Sequence, residues 1–245
     1  GLIGSLAKSE GKNVTTNNAR FVRFLWEVND CDIGAFDKHW LPCAMGGDYR
    51  KWFGNIAHAI DWSSKARSFY KSTPAGRIIR EEFWDLPGIT WGKIGFGVAS
   101  FRILASAEMY QETAILQNNE RDARFLLSLL NSRVAQHFLK FLSPTVNFQL
   151  EDISAIPTIS IEFLKSNTDA NTVRTIEISK TDWDSAEQSR DFIRLPLLHH
   201  ENHQPTLTAT YQRLRAHWRE VTLDMQRLEQ ENNRFFIDAY GLQDE

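Results

Sequence analysis

The feature that most constrains the fold is residues 206–238, a long run that contains neither glycine nor proline. Large apolar side chains recur in it at steps of three and four residues: Tyr211, Leu214, Trp218, Val221, Met225 and Leu228. That spacing is typical of an α-helix that has one apolar stripe and is polar on its other faces. Gly241 follows, where the left-handed residue that ends many helices would lie. The segment therefore predicts one long, largely polar helix near the C-terminus.

A second helical block lies at 121–142, where apolar residues recur at steps of three to five residues. Asn131 and Ser132 interrupt it with residue types that end one helix and cap the next. Before it, 30–110 consists of short apolar segments separated by Gly, Pro, Asp and Ser, and 89–104 predicts two strands around a glycine turn. The predicted fold class is α+β, a mixed sheet with short helices followed by a helical C-terminal region.

Shorter segments complete this outline. Residues 20–28 predict a buried strand or a short amphipathic helix, and 146–150 predict a short strand. Residues 165–175 are rich in Asn, Thr, Ser and Asp, a composition typical of a linker. We therefore expect two parts, residues 1–165 and residues 176–245.

Composition is typical of a folded protein, with 42% hydrophobic and 24% charged residues. The sequence has no apolar run long enough for a membrane span, and its start, GLIGSLAKSE, lacks the apolar core of a signal peptide. Cys31 and Cys43 predict neither a disulfide framework nor a metal site. We expect a cytoplasmic protein without a membrane partner. We also expect the sequence to be a piece of a longer chain, because it does not begin with Met.

Charge is distributed unevenly along the chain. The net charge of −3 argues against general binding of nucleic acids. Residues 1–110 nevertheless hold 14 Lys and Arg against 11 Asp and Glu, whereas 111–245 hold 14 against 20. This asymmetry indicates that any surface facing a polyanion lies in the first part.

Three near-matches to catalytic motifs fail on geometry. Gly11–Asn13 lacks the first glycine and the hydroxyl of a phosphate-binding loop, and Gly95–Gly97 leads into strand-forming residues instead of a helix. His200–His203 is one residue short of a zinc-protease motif and lies between prolines. No two prolines are adjacent, which excludes the Pro-Pro loop of amino-methylating DNA methyltransferases. We predict no catalytic residue and no metal ligand in this chain.

Polar and basic residues cluster ahead of the first apolar segment, in TTNNARFVR. The candidate DNA contacts there are Thr16, Asn17, Asn18 and Arg20, because Asn pairs with adenine edges and Arg with guanine or phosphate. The structural alternative is a turn or a helix cap, which Asn and Thr also favour.

The stretch GGDYRKWFGN combines cations with aromatic rings between glycines. Arg50 and Lys51 would neutralise phosphates, and Tyr49 would stack on bases. The alternative is a half-buried loop whose charges face water. Within it, we expect Trp52 to be a core residue.

Two further segments supply candidates of the same kind. ITWGK places Trp91 and Lys93 beside glycines that would let the backbone approach a partner. PTVNFQLED places Asn147 and Gln149 at alternating positions, which would bring both to one face of a strand. We predict all four as DNA contacts, with Asn147 and Gln149 reading bases.

These segments, in this order, resemble the C-terminal part of the PglX (BrxX) family, the adenine-specific DNA methyltransferases of BREX phage-defence systems. The resemblance is carried by TTNNARFVRFLWEV, GGDYRKWFGN, ITWGKI, LLNSRVAQHFLKFLSPTVNFQLEDISAIP, ISKTDWDS and NNRFFIDAYGLQDE. The block from LLNSRVAQ to SAIP is also similar to blocks of type I restriction specificity subunits. At the positions that correspond to those near Asn17, members of the family more often have Gly or Ala together with Asp.

The resemblance implies that residues 1–165 form a DNA target-recognition domain and 176–245 a helical C-terminal region. Its implied partners are double-stranded DNA and the N-terminal methyltransferase domain of the same protein, which would bind S-adenosylmethionine; this chain would hold no cofactor. The missing part would flip and methylate the adenine. The alternative function is a protein-interaction module that docks other BREX proteins or a phage inhibitor.

Overall fold

The computed structural model describes residues 1–9, 11–93, 98–143, 147–159 and 161–243, the side chains of 161–168 excepted. Across these ranges the chain forms two small sheets and seven α-helices, which confirms the α+β prediction. The strands are β1 (Val22–Phe24), β2 (Trp40–Ala44), β3 (His58–Asp61), β4 (Gly88–Trp91), β5 (Phe101–Leu104), β6 (Met109–Tyr110) and β7 (Thr113–Leu116). The helices are α1 (Asn18–Phe21), α2 (Ser64–Ser72), α3 (Glu120–Leu130), α4 (Arg133–Leu142), α5 (Leu150–Ser154), α6 (Ile161–Asp184) and α7 (Leu207–Tyr240).

The first sheet has the order β1-β3-β2-β6, so that β1 lies at an edge. The pairs β1–β3 and β2–β3 are antiparallel, and β6 runs parallel to β2. Phe24 pairs with His58 in the β1–β3 register. The inner face of this sheet packs with α2 in a core that includes Leu41, Ile60 and Tyr70.

The second sheet, of order β5-β4-β7, is antiparallel throughout. Its strands β4 and β5 confirm the two strands predicted in 89–104, although the glycines 95 and 97 between them lie outside the described residues. The sheet packs against α3, α4 and the end of α7, with Phe236 in the same core as Trp91 and Phe101. The last turns of α7 therefore belong to the core of the sheet region.

Helices α3 and α4 confirm the predicted break at Asn131 and Ser132. The Ser132 hydroxyl accepts a hydrogen bond from the Ala135 backbone N–H, as an N-cap does. The Asn131 side chain exchanges two hydrogen bonds with the backbone of Phe101 and so ties α3 to β5. Local capping and tertiary contact thus act at the same pair of residues.

The long helix α7 is confirmed, and Gly241 ends it in the left-handed region at φ 68°. Leu214 and Leu228 of the predicted stripe are buried, whereas Tyr211 and Trp218 remain 49% and 46% exposed. Among the described helices, none combines the length and the apolar character that crossing a bilayer requires.

The predicted linker at 165–175 is wrong, because α6 runs through it without a break. Asn, Asp and Thr favour turns locally, but here tertiary contacts outweigh that preference. The Arg124 guanidinium forms two hydrogen bonds with Asp169, at 2.7 and 3.2 Å, and Thr172 and Thr175 are buried. The helix is thereby fixed to α3, and the two-part division stays a proposal.

Two shorter predictions also change. Residues 20–28 form the end of α1, then β1, then a single 3₁₀ turn at Leu25–Glu27, so they are neither one strand nor one helix. The strand prediction for 146–150 is wrong for its last two residues, because Gln149 occupies the N-cap position of α5 and Leu150 is the first residue of that helix. Val146 lies outside the described residues.

Candidate nucleic-acid interface

The structure brings together two segments that contain no acidic residue, 11–23 and 62–80. The Val14 and Arg77 backbones exchange hydrogen bonds at 2.8 and 3.0 Å, and the Phe21 ring lies 5.0 Å from both Phe69 and Tyr70. We call the surface of these two segments the basic face. It carries the cations Lys12, Arg20, Arg23, Lys65, Arg67, Lys71, Arg77 and Arg80.

Helix α2 gives this face a regular surface. Ala66 and Tyr70 point into the core, which leaves the serines at every fourth position, Ser64, Ser68 and Ser72, exposed on the outer side. Exposed Lys65 and Lys71 flank this row of serines. The Ser68 and Ser72 hydroxyls donate to the backbone oxygens of Ser64 and Phe69, at 2.8 and 3.1 Å, so the donors that this surface offers to phosphate oxygens are the flanking ammonium groups.

Three arginines of the basic face lie over aromatic rings. Arg20 stacks 5.1 Å above Phe69, Arg67 5.4 Å from Trp84 and Arg80 4.7 Å from Phe83. Such cation–π contacts hold a guanidinium at the surface against the ring. Arg80 also pairs with Glu82 at 2.9 Å, whereas the structure shows no ion pair for Arg20 or Arg67 among the described residues.

The predicted contacts Thr16, Asn17, Asn18 and Arg20 are all exposed and lie together at α1. Asn17 also fills the alternative role, because its side-chain oxygen accepts a hydrogen bond from the Arg20 N–H at 3.1 Å and caps α1. Asn18 accepts a hydrogen bond from the Thr15 hydroxyl. Thr16 adopts φ 64°, a strained conformation for a β-branched residue, and such strain concentrates at functional sites.

The cations of residues 46–55 are engaged within the fold. Arg50 pairs with Asp182 and donates to the backbone oxygens of Phe53 and Ser179, while Lys51 lies 2.6 Å from Glu229. Both side chains thereby hold the loop against α6 and α7. Their contact with phosphate stays a prediction, and it would compete with these carboxylates.

Two aromatic residues of the same loop differ in solvent exposure. Trp52 is 2% exposed, as predicted for a core residue, and its indole N–H donates to Glu229 at 2.8 Å. Tyr49 is 62% exposed and can meet a ligand. Partial desolvation of its hydroxyl and the nearby Glu229 raise the pKa of Tyr49.

Trp91 is fully buried, and its indole N–H donates to the Phe148 backbone oxygen at 3.1 Å. A ring in that position cannot stack on a base, so the structure removes Trp91 from the candidate contacts. The Phe148 N–H in turn donates to the Lys93 oxygen at 2.9 Å, which brings exposed Lys93 near Asn147 and exposed Gln149. The predicted contacts other than Trp91 thus separate into three groups, one at α1, one in the 46–55 loop and one around Phe148.

Sequence reasoning missed a group of exposed rings beside the basic face. Phe24 and Trp26 are 41% and 58% exposed and stack on each other at 4.4 Å with a 6° angle between planes. They line a cleft of about 290 Å³ together with Tyr49, Asn55, His58 and Trp183. We call it the aromatic cleft. The alternation of exposed Phe24, buried Leu25 and exposed Trp26 is the sequence signal that could have found it.

In the described part of the chain, no three His, Cys, Asp or Glu residues lie close enough together to hold a metal ion. His199 and His203 flank a 3₁₀ turn. Both cysteines are free; Cys43 is buried, which raises the pKa of its thiol, and Cys31 is exposed.

The fold resembles that of a restriction-modification enzyme. It superposes on the Type IIL enzyme MmeI, whose structure was determined in complex with DNA, with a TM-score of 0.54 and 10% identity. The match covers 98% of this chain and 33% of the MmeI chain. No protein-family model matches the chain.

Sequence comparison finds relatives that are named adenine-specific methyltransferases. The chain is 31% identical to PglX of Lacticaseibacillus casei (strain Zhang) over 98% of its length, and 26% identical to BrxX of Escherichia coli O9:H4 (strain HS) over 82%. It spans only 21% and 17% of those relatives. The chain is therefore homologous to a segment of the PglX and BrxX methyltransferases, and the predicted resemblance is confirmed.

Proposed function

We propose that this chain is the DNA sequence-recognition part of a site-specific adenine-N6 DNA methyltransferase of a BREX-type phage-defence system. Its relatives are named adenine-specific methyltransferases, and a DNA complex of MmeI shows the same fold. S-adenosylmethionine and the reacting adenine would bind in a methyltransferase domain elsewhere in the polypeptide. This chain would hold the duplex in register.

The basic face is the observation that carries the proposal. It gathers eight of the chain's 28 Lys and Arg residues, and its two segments hold none of the 31 Asp and Glu residues. A local surface of that composition attracts the phosphate backbone even on a chain with a net charge of −3. Lys65, Lys71 and Arg20 would contact phosphates.

The base readers proposed are the amides beside that face and around Phe148. Asn17 and Asn18 keep side-chain N–H donors at an exposed turn, and Asn147 and Gln149 lie next to Lys93. Amides of this kind pair with the edges of adenine in the major groove. In this division of labour residues 1–165 contact DNA, and 176–245 support them.

Salt dependence of DNA binding tests the phosphate contacts. Lys65→Ala with Lys71→Ala should weaken binding of a duplex about equally for all sequences and lower the salt slope by about 2. Arg215→Ala, an exposed cation on α7 outside the basic face, is the matched control and should leave the slope unchanged. A double variant with the wild-type slope would contradict the proposed face.

Methylated-motif sequencing tests the recognition role itself. When this segment is exchanged between two related methyltransferases with different target motifs, the methylated motif should follow the segment. Retention of the motif of the catalytic domain would refute the target-reading role.

A second candidate function, docking of another domain, rests on exposed apolar residues around the start of α7. Ile193, Leu198 and Leu207 are 79%, 64% and 70% exposed, and exposed Tyr211 and Trp218 lie on the same side of the helix as Leu207, about one and three turns further along. Patches of this kind mark protein interfaces. We propose the methyltransferase domain of the same polypeptide as the occupant.

Leu198→Asp with Leu207→Asp tests this second candidate. The pair should abolish co-purification of the chain with a separately expressed methyltransferase domain while leaving its melting temperature within about 2 °C, since both residues are exposed. Unchanged co-purification would exclude the patch as the docking surface.

A further inference from the structure

We infer that the aromatic cleft binds one unstacked nucleobase of the DNA that the basic face holds. The inference rests on the proposed DNA-recognition function and adds to it a site for a base outside the duplex stack. Neither the phosphate contacts nor the predicted base readers require such a site.

The first observation is the pair of exposed parallel rings. Phe24 and Trp26 stack on each other, and His58 lies 4.8 Å from Phe24 on the neighbouring strand, so three rings form a ladder at the sheet edge. A contiguous group of exposed apolar rings rimmed by polar residues marks a ligand groove or another interaction site. A nucleobase offers a π-face of matching width, whatever its identity.

The second observation is that the cleft also offers hydrogen-bonding groups at its rim. The Asn55 amide donates to the Asp48 backbone oxygen at 2.8 Å, and exposed Gln188 lines the same cleft. Exposed Tyr49 adds a hydroxyl donor. Stacking rings combined with amide and hydroxyl groups suit a base that presents both a flat face and a polar edge.

The third observation is the backbone of the cleft wall. Gly46 and Gly47 adopt φ 85° and 138°, and a Cβ on Gly47 would lie 2.8 Å from the Asn55 side chain. Asn55 itself adopts φ 60°. With Trp52 at φ 71° and Gly54 at φ 121°, five positions of residues 46–55 have positive φ, and backbone of this kind is found at ligand clamps.

The cleft and the basic face are continuous. Arg20 lies in α1, and β1 follows directly with Arg23 and ends at Phe24, so a duplex held at α1 lies within one strand length of the ladder. Burial lowers the pKa of His58, which keeps its ring neutral at physiological pH and suited to stacking. The site therefore lies where a distorted duplex would present a displaced base.

The test compares two short DNA duplexes that differ by one bulged 2-aminopurine, with Kd measured by fluorescence anisotropy. The wild-type chain should bind the bulged duplex about tenfold more tightly than the paired one, which corresponds to one base stacked on an aromatic residue. Binding should also quench the 2-aminopurine emission, because the base stacks on an indole.

Trp26→Ala should remove this preference and leave the Kd for the paired duplex within about twofold. Tyr49→Ala should reduce the preference, and Trp26→Phe should retain most of it, since a ring remains. Trp218→Ala, a comparably exposed tryptophan on α7, is the matched control and should change neither Kd.

Equal affinity for both duplexes, or a preference that survives Trp26→Ala, would overturn the aromatic cleft as a base site while leaving duplex recognition in place. Binding of the bulged duplex alone, dependent on Trp26, would support the cleft and contradict the proposed duplex reader. Binding of neither would overturn both.

Discussion

Glu229 of α7 joins the 46–55 loop to the C-terminal helix, and its removal should destabilise the protein. One carboxylate oxygen accepts hydrogen bonds from the Lys51 ammonium at 2.6 Å and from the Trp52 indole N–H at 2.8 Å. Trp52 is 2% exposed, and the Lys51 and Glu229 side chains are 21% and 32% exposed. Glu229→Ala would leave the indole N–H without its partner and the ammonium without its counter-charge.

The magnitude follows from these two losses. A buried donor left without a partner costs about 1–3 kcal/mol, and a partly exposed ion pair contributes about 0.5–1 kcal/mol. We therefore expect Glu229→Ala to lower the free energy of unfolding by about 2–3 kcal/mol. Glu229→Gln retains an acceptor for the indole and should cost less.

Urea unfolding followed by tryptophan fluorescence measures this change, with near-UV circular dichroism as a report on the setting of Trp52. Glu220→Ala, an exposed glutamate on the same helix, is the control and should stay within about 0.5 kcal/mol of wild type. A Glu229→Ala variant as stable as this control would refute the view that the contact fixes the loop to α7.

Two further predictions concern pH and helix termination. Desolvation raises the pKa of the partly buried Glu108 carboxyl to about 7 from 4.5, so the stability linked to this group is fully present below pH 4.5 and is lost as the pH rises through 7. Glu108→Gln should therefore equal wild type at pH 4 and be more stable at pH 8 by about 1–3 kcal/mol, because a rise from 4.5 to about 7 is worth about 3 kcal/mol at full desolvation; equal stability at pH 8, measured by urea unfolding, would contradict the desolvation. Gly241→Ala, at φ 68°, should cost about 1 kcal/mol, and an unchanged midpoint would contradict the left-handed cap.

Much of the secondary structure was determined by the sequence, because the signals involved are local. The stripe from Tyr211 to Leu228 and the residue Gly241 define α7, and the Asn131–Ser132 pair separates α3 from α4. Apolar periodicity and capping depend on residues within a few positions of each other, so both can be recognised in the amino-acid sequence alone. The order of polar and aromatic segments also carried the resemblance that the comparisons confirm.

The charges available to a partner were decided by tertiary contacts. Arg50 and Lys51 looked free in the sequence, yet Asp182 and Glu229, which pair with them, lie more than a hundred residues away. Trp91, predicted as a DNA contact, is likewise buried in the core. Local sequence contains no information on which distant carboxylate or sheet will cover a side chain.

The candidate interface itself has the same origin. Neither residues 11–23 nor residues 62–80 indicate a binding surface when read separately, and the basic face exists only because Val14 pairs with Arg77 and Phe21 packs on Phe69. The aromatic cleft likewise needs β1, the 46–55 loop and α6 to meet. The sequence alone determined which helices form and which family the chain resembles, whereas the fold decided which cations and rings face outward, because burial and charge pairing depend on residues far apart in the chain.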